Sequence, residues 1–398
     1  MLELQQVSLQ LGNAPDDPLL LAEVSTRFPK KHFAAILGPS GCGKSTLLKV
    51  IAGLREPTLG HVEWDGRNLS DDGDMDPHEI GYVPQFSIAY DLLTVWESVE
   101  SALRLRVSGL DLDQQEERLE KILGEVGLEE IADREVRVLS GGQKRRLAMA
   151  LEMVSSPHLL LCDEVTSGLD PKAEDEIAKL MHALSRRDDR IVLSVTHSLR
   201  HLALYDSIVV LYQGHVAYHG PAQFLYHYFG VEKPEELFPR LAQRKPEDWH
   251  RSWQKHRNTY YAESHLDGDE AAAKDVADHP AAEDEAAKMR IEKLLKKAQT
   301  DGDEDAKKDD EVDAPEKKSR RKKEEPEEPE HEGTPSALTQ FSVLLARRWK
   351  IFFRDRGGLW LQFALLVGFP ILVVIFALDG LPQIKNLNGV VGTNFVRR

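Results

Sequence analysis

Residues 33 to 54 read FAAILGPSGCGKSTLLKVIAGL. Phe33 to Leu37 is a short apolar run that stops at a glycine, the pattern of a buried strand. Lys44 to Leu54 then carries its apolar residues at helical spacing. Strand, glycine-rich turn and helix form the setting in which G-x-x-x-x-G-K-[ST] is a phosphate cradle, and Gly38, Gly43, Lys44 and Ser45 fill that pattern. The cradle is Gly38, Pro39, Ser40, Gly41, Cys42, Gly43, Lys44, Ser45 and Thr46. Its backbone N–H groups wrap phosphate oxygens, Lys44 neutralises charge at the β/γ oxygens, and the Ser45 hydroxyl is a ligand for Mg²⁺.

Outward from this core the chain alternates strands and helices. Residues 2 to 11 alternate, with Leu2, Leu4, Val7, Leu9 and Leu11 on the apolar side of a half-buried strand. Ile80–Val83, Leu159–Cys162 and Ile191–Val195 are further short apolar runs. Thr94–Val107 and Asp113–Val126 have amphipathic helical spacing. Strands separated by helices predict an α/β fold with a parallel central sheet. The globular part is expected to span 1–230, closing near Phe229, with a helical tail over 231–261.

Two acids end one of these strands. In LLLCDEVTSGLD, residues 159 to 170, four apolar or small residues deliver Asp163 and Glu164 to the carboxyl end, where ligands bind in open α/β sheets. Asp163 can hold Mg²⁺, and Glu164 can orient or deprotonate an attacking water. His197, closing IVLSVTH, can contact a γ-phosphate; a lone histidine at a strand end is more often structural, and its place in this series of strand ends favours the first reading. Gln85, in GYVPQ, can bridge metal, water and a partner domain. A second anion-binding pattern is LSGGQKRR, residues 139 to 146, in which Ser140, Gly141, Gly142 and Gln143 open a helix. One γ-phosphate is not easily held by both cradles of one fold. The economical reading is that each copy completes the site of another, so that ATP joins two copies and hydrolysis releases them.

The 398 residues carry a formal charge of −16, which argues against nucleic acid as the main partner. Much of the acid lies between residues 262 and 335, a charged linker too poor in apolar residues to fold alone and expected to be largely disordered. Residues 336–356, SALTQFSVLLARRWKIFFRDR, place Leu338, Phe341, Leu345, Trp349 and Phe352 on one stripe of an amphipathic connecting helix. Arg347, Arg348, Lys350, Arg354 and Arg356 crowd the same region, as in an interfacial helix on the cytoplasmic side. Leu359 to Leu378 has no charged residue and would span about 30 Å as a helix, one bilayer core. A short tail, 379–398, follows. The two cysteines, Cys42 and Cys162, are expected to be reduced, buried fillers rather than a disulfide. His215 and His219 near a turn lack the further ligands that a metal site needs.

The ordered set GPSGCGKST, YVPQ, LSGGQKRR, LLLCDE, SGLD and THS resembles the nucleotide-binding domain of an ABC transporter over residues 1 to about 230. The resemblance implies the P-loop NTPase fold of ABC type. It makes Gln85 the Q-loop residue, Ser140 to Gln143 the signature, Asp170 the D-loop aspartate at the nucleotide, and His197 the switch histidine. LTVWESVESALRLR, GHVAYHGPAQFLYHYF and RDRGGLWLQFALLVGFP are similar to the G-type half-transporters, which place the ATPase first and the membrane helices second. The implied function is an ATPase powering export of a lipid-like or amphipathic substrate, with ATP and Mg²⁺ as cofactors. Its implied setting is an inner or plasma membrane, with the ATPase domain cytoplasmic. The implied partners are a second such domain, as a homodimer, membrane lipid, and a transmembrane domain in cis or from another chain. Two departures stand out. Leu11 or its neighbours occupy the place of the adenine-stacking aromatic, and there is one span where the family has about six. A regulatory or truncated membrane-bound ATP-binding protein without transport, and a soluble ABC ATPase, are the alternative readings.

Overall fold

The structure, a computed structural model, describes residues 1–12, 17–71, 73, 75–85, 89–263 and 333–378. Of the linker expected at 262–335, residues 264–332 lie outside the described residues, as does the whole tail at 379–398.

The central layer is a six-stranded sheet. Its strands are β3 (His32–Leu37), β6 (Ile80–Val83), β7 (Leu159–Asp163), β8 (Ile191–Val195), β9 (Ser207–Tyr212) and β10 (His215–Gly220), in the order β10-β9-β3-β8-β7-β6. All neighbours pair in parallel except β10 with β9. Every residue of β3, β7 and β8 is buried, as expected of strands covered on both faces. Their apolar runs therefore show up in sequence as blocks, without alternation.

A four-stranded antiparallel sheet flanks this layer. It comprises β1 (Leu2–Gln10), β2 (Leu19–Phe28), β4 (Leu59–Trp64) and β5 (Arg67–Asn68), in the order β2-β1-β4-β5. The alternation of β1 skips a beat between Leu4 and Val7, and the pairing with β2 shifts register there. Gln6, at φ 50°, takes up the extra residue, so Leu2, Leu4, Val7 and Leu9 all face the core. Leu11 does not continue that face: the strand ends at Gln10, and Leu11 is 62% exposed.

The helices start on side chains that satisfy their free N–H groups. Thr94 with Glu97, Asp111 with Gln114 and Ser140 with Gln143 form reciprocal caps on α2 (Val95–Arg106), α3 (Leu112–Val126) and α4 (Gly141–Met153). Asp170 caps α5 (Pro171–Ser185), with Pro171 in the first helical position. The helix after the P-loop, α1 (Lys44–Ile51), is shorter than its apolar spacing predicts, because the chain turns at Gly53 with φ 69°.

After α6 (Ala222–Phe229) and α7 (Leu237–Leu241) comes α8 (Pro246–Glu263), and the domain does not close at Phe229. The expected tail is a layer of the core. Trp249, Trp253 and Tyr260 are buried against Tyr218 of β10 and Phe229, and Tyr261 is buried against His219 and Trp253. Trp253 is fully buried, a contribution of about 3–5 kcal/mol by the cost of truncating such a side chain. His219 is a core histidine as well, bonded to Tyr261 Oη at 2.9 Å and Ser207 Oγ at 3.3 Å.

The connecting helix is α9 (Ala337–Arg354), capped by Ser336 and ended at Asp355. Its cationic side lies on the N-terminal domain. Arg354 forms a two-pronged pair with Glu97 at 2.5 and 2.8 Å, Lys350 reaches Glu97 at 3.6 Å, and Arg347 sits 4.9 Å above the Tyr90 ring. Leu338, Phe341, Leu345 and Trp349 are exposed on the other side. Phe352 departs from that stripe: it is partly buried, and Phe353 points outward in its place. The apolar segment forms α10 (Arg356–Phe363), a widened turn at Ala364–Gly368, and α11 (Phe369–Leu378). Pro370 has no N–H for the Leu366 carbonyl and crowds it, so the ladder opens to an i→i−5 bond from Phe369 to Ala364. Arg356–Ala377 is long and apolar enough to cross a membrane by length and composition.

Candidate functional site

The cradle closes over Lys44. Its ammonium donates to the carbonyls of Gly38 at 3.0 Å and Pro39 at 2.9 Å and is almost wholly buried. Two glycines make the tight loop possible. A Cβ on Gly38 would stand 2.2 Å from the Leu211 carbonyl oxygen. Gly43 has φ 104°, and its Cβ would meet the Leu20 oxygen at 2.7 Å. Cys42 packs beneath the loop, where burial pushes its thiol above the usual range. Cys162 is buried one residue before Asp163, and the two thiols are free.

The acids arrive from β7 as the sequence predicts. Asp163 Oδ1 accepts from Ser45 Oγ at 2.8 Å, and its Oδ2 accepts from Tyr82 Oη at 3.1 Å. Glu164 turns the chain with φ 51°, a left-handed conformation that costs a non-glycine residue about 1–3 kcal/mol and recurs at functional sites. Its N–H bonds the Val195 carbonyl of β8, and its carboxylate joins two separate loops. Gln85 Nε2 donates to Oε2 at 2.9 Å, and His197 Nε2 lies 2.6 Å from Oε1. The Ser45–Asp163 and Gln85–Glu164–His197 sets are thus brought side by side by the adjacent residues Asp163 and Glu164, with Lys44 preceding Ser45, at the carboxyl ends of β3, β6, β7 and β8.

The donors suit Mg²⁺. Ser45 and Asp163 present hard oxygens side by side, Gln85 keeps an amide oxygen, and phosphate oxygens can complete such a set. Among the described residues, no group of three His, Cys, Asp or Glu side chains makes a self-sufficient metal cage.

Ser140 to Gln143 stand apart from this group. Among the described residues they form no hydrogen bond with Gly38 to Thr46. Ser140 and Gln143 bond each other across the start of α4, at 2.9 and 3.3 Å. The glycines also have a packing role that the sequence does not announce. A Cβ on Gly141 would meet Leu169 at 3.3 Å and one on Gly142 would meet Ala173 at 3.2 Å, so α4 and the start of α5 lie close together. Asp170, expected at the nucleotide, accepts at Oδ1 from the Lys172 and Ala173 N–H groups.

Comparison with known proteins bears on this arrangement. The ABC transporter family profile matches residues 21–167. The energy-coupling factor transporter ATP-binding protein EcfA1 of Mycoplasma mobile is 35% identical over 219 residues, which are 54% of this chain and 77% of that one. The chain belongs to the ABC transporter ATP-binding family. Rv1747 of Mycobacterium tuberculosis, an ABC transporter ATP-binding/permease protein, is 34% identical over 228 residues, 57% of this chain. The chain spans only 26% of that protein's length. Among solved structures, the dimeric post-hydrolysis state of the ATP-binding cassette MJ0796 bound to ADP and Pi matches at 29% identity and TM-score 0.50. That match covers 56% of this chain and 99% of that one. The ABC domain at the N-terminal side of the chain is an ATPase domain. Import ATP-binding proteins and an ABC transporter G family member are both among its relatives, so the family is shown and no single branch of it is.

Two residues at the ABC site escape the motif reading. Tyr82, the first residue of YVPQ but given no role there, is bonded to Asp163. Arg145, in the KRR that follows the signature, donates through its guanidinium to the Gln85 carbonyl and so ties α4 to the Gln85 loop. Only the strand order, which puts β6 beside β7, reveals the first contact.

Proposed function

We propose that this chain is the ATP-hydrolysing part of a membrane exporter, working as a homodimer whose two ATPase domains close head to tail on ATP. Glu164 orients the attacking water, with His197 and Gln85 holding its carboxylate from either side. Lys44 neutralises charge on the transferring phosphoryl group, and Ser45, Asp163 and Gln85 would hold a Mg²⁺ that would supply further charge neutralisation at the phosphates. Ser140 to Gln143 and Asp170 serve the nucleotide of the second copy. The observation that carries this reading is Glu164, held at a strained turn between Gln85 and His197 while the signature lies outside its own domain's bonded group.

The exposed apolar side of α9 and the Arg356–Ala377 span support a membrane location with the ATPase domain in the cytoplasm. The order of ATPase domain, connecting helix and span supports the G-type reading and, with it, a lipid-like or amphipathic substrate. Further membrane helices come in cis or from another chain. A chain carrying Ser40→Cys mixed with one carrying Ser140→Cys tests the closure. With ATP and the Glu164→Gln background, oxidation should give a disulfide-linked dimer of the two variants. A cross-link that forms equally without nucleotide, or not at all, removes the head-to-tail arrangement.

A further inference from the structure

Asp163 has two carboxylate oxygens, and only one faces the cradle. Oδ1 shares the Ser45 hydroxyl at 2.8 Å, on the P-loop side. Oδ2 is taken by the Tyr82 hydroxyl at 3.1 Å. The contact follows from the sheet. β6 and β7 run in parallel with Tyr82 opposite Leu161, and Asp163, two residues beyond Leu161, projects from the same face.

Tyr82 is itself fixed from the far side. Its backbone N–H donates to Glu152 Oε2 of α4 at 3.3 Å, and Glu152 is clamped by Arg106 of α2 through two bonds of 2.8 and 2.9 Å. Gly81 makes room for this: a Cβ there would lie 3.3 Å from Glu152 Cβ and 3.0 Å from Leu160 Cδ1. Glu152 is 7% exposed, so its charge is held by partners and not by water.

We propose that Tyr82 is a positioning residue for Asp163: its hydroxyl pins one carboxylate oxygen, so the other stays aimed with Ser45 at the metal carried by the nucleotide. The Arg106–Glu152 pair fixes the strand from which Tyr82 works, and thus links α2 and α4 to the orientation of Asp163. Tyr82 acts through Asp163. The proposal rests on the reading of Asp163 as the magnesium holder.

Tyr82→Phe keeps the ring and removes the one bond. The test uses the full chain in detergent, with Mn²⁺ as a paramagnetic substitute followed by spin resonance during titration in the presence of ATP. Loss of a group that orients a metal ligand should weaken Mn²⁺ binding about tenfold. Binding of a fluorescent ATP analogue in EDTA should stay at the wild-type value, since the cradle itself is unaltered. Unchanged Mn²⁺ affinity in Tyr82→Phe overturns the proposal. So does an equal loss of metal-free nucleotide binding, which would mark Tyr82 as a packing residue only. Asp163→Asn separates the underlying reading from the inference. If it leaves Mn²⁺ affinity untouched, Asp163 is not the holder. If it weakens binding while Tyr82→Phe does not, Asp163 holds the metal without help from Tyr82.

Discussion

Glu164→Gln is the substitution whose consequence the geometry defines most closely. In the wild type one carboxylate accepts from two donors, Gln85 Nε2 at 2.9 Å and His197 Nε2 at 2.6 Å. An amide has one acceptor and one donor. If its oxygen turns to His197, its NH₂ meets the Gln85 NH₂, and one of the two loops is released unless Gln85 also rotates. The variant keeps the size and the left-handed turn but loses the charge and one charge-assisted bond. Removing a positioned general base costs about 10²–10⁴ in rate, or about 3–5 kcal/mol of barrier at about 1.4 kcal/mol per tenfold. Lys44, Ser45 and Asp163 are bonded to other partners and stay in place, so ATP should bind as before. Phosphate release in a single turnover, measured beside equilibrium binding of a fluorescent ATP analogue, separates the two quantities. Release within about threefold of wild type would refute the assignment of Glu164, whatever happened to binding.

The clamp on α9 should be just as visible. Burial works against the Glu97 charge, but the bonds from Arg354 and from the Thr94 N–H outweigh it and hold the carboxyl below its usual range. Glu97→Gln should therefore loosen both the α2 cap and the docked helix, at a cost of about 1–2 kcal/mol, read as faster amide exchange at residues 94–98 and 347–354 together. Exchange that rises in one segment alone would break the linkage. The buried histidines set an acid limit. Burial lowers His219 to about 3 and His32 to about 4, with Arg27 near the first and Asp206 and Arg186 near the second. The folded state binds fewer protons than the unfolded chain between pH 6.5 and about 4, so stability must fall as pH drops through that window. By pH 5 the loss is about 2 kcal/mol for each histidine. A melting temperature that stays flat from pH 7 to pH 5, or a fall that His219→Gln leaves unchanged, would contradict the burial argument.

What the sequence disclosed, it disclosed through local chemistry. Phe33–Leu37, the cradle and Leu159–Glu164 are each contiguous, and their positions follow from strand, turn and helix signals alone. The gap between Leu4 and Val7 was visible too, but only the pairing partner reveals it as a bulge. No strand was legible at Leu19–Phe28, Ser207–Tyr212 or His215–Gly220, because their roles depend on neighbours far away in the chain. The aromatic residues of α8 looked like a tail for the same reason: four large rings at 249–261 are core only once β10 lies beneath them. The Tyr82–Asp163 bond lay hidden between two familiar motifs. Each motif is read along the chain, and the bond runs across it.

Glu97 belongs to two structures at once. It closes the first turn of α2 through Thr94, and it receives Arg354 and Lys350 from a helix some 250 residues further along. Shared groups obey reciprocity: whatever stabilisation docked α9 lends to the first turn of α2, that turn returns to docking in equal measure. A pull that lifts α9 must then fray α2 at its start, while the other end of the same helix holds Glu152 through Arg106. Mechanical work done at the connecting helix thus has a toll, collected within one α2 length of the strand that faces the nucleotide.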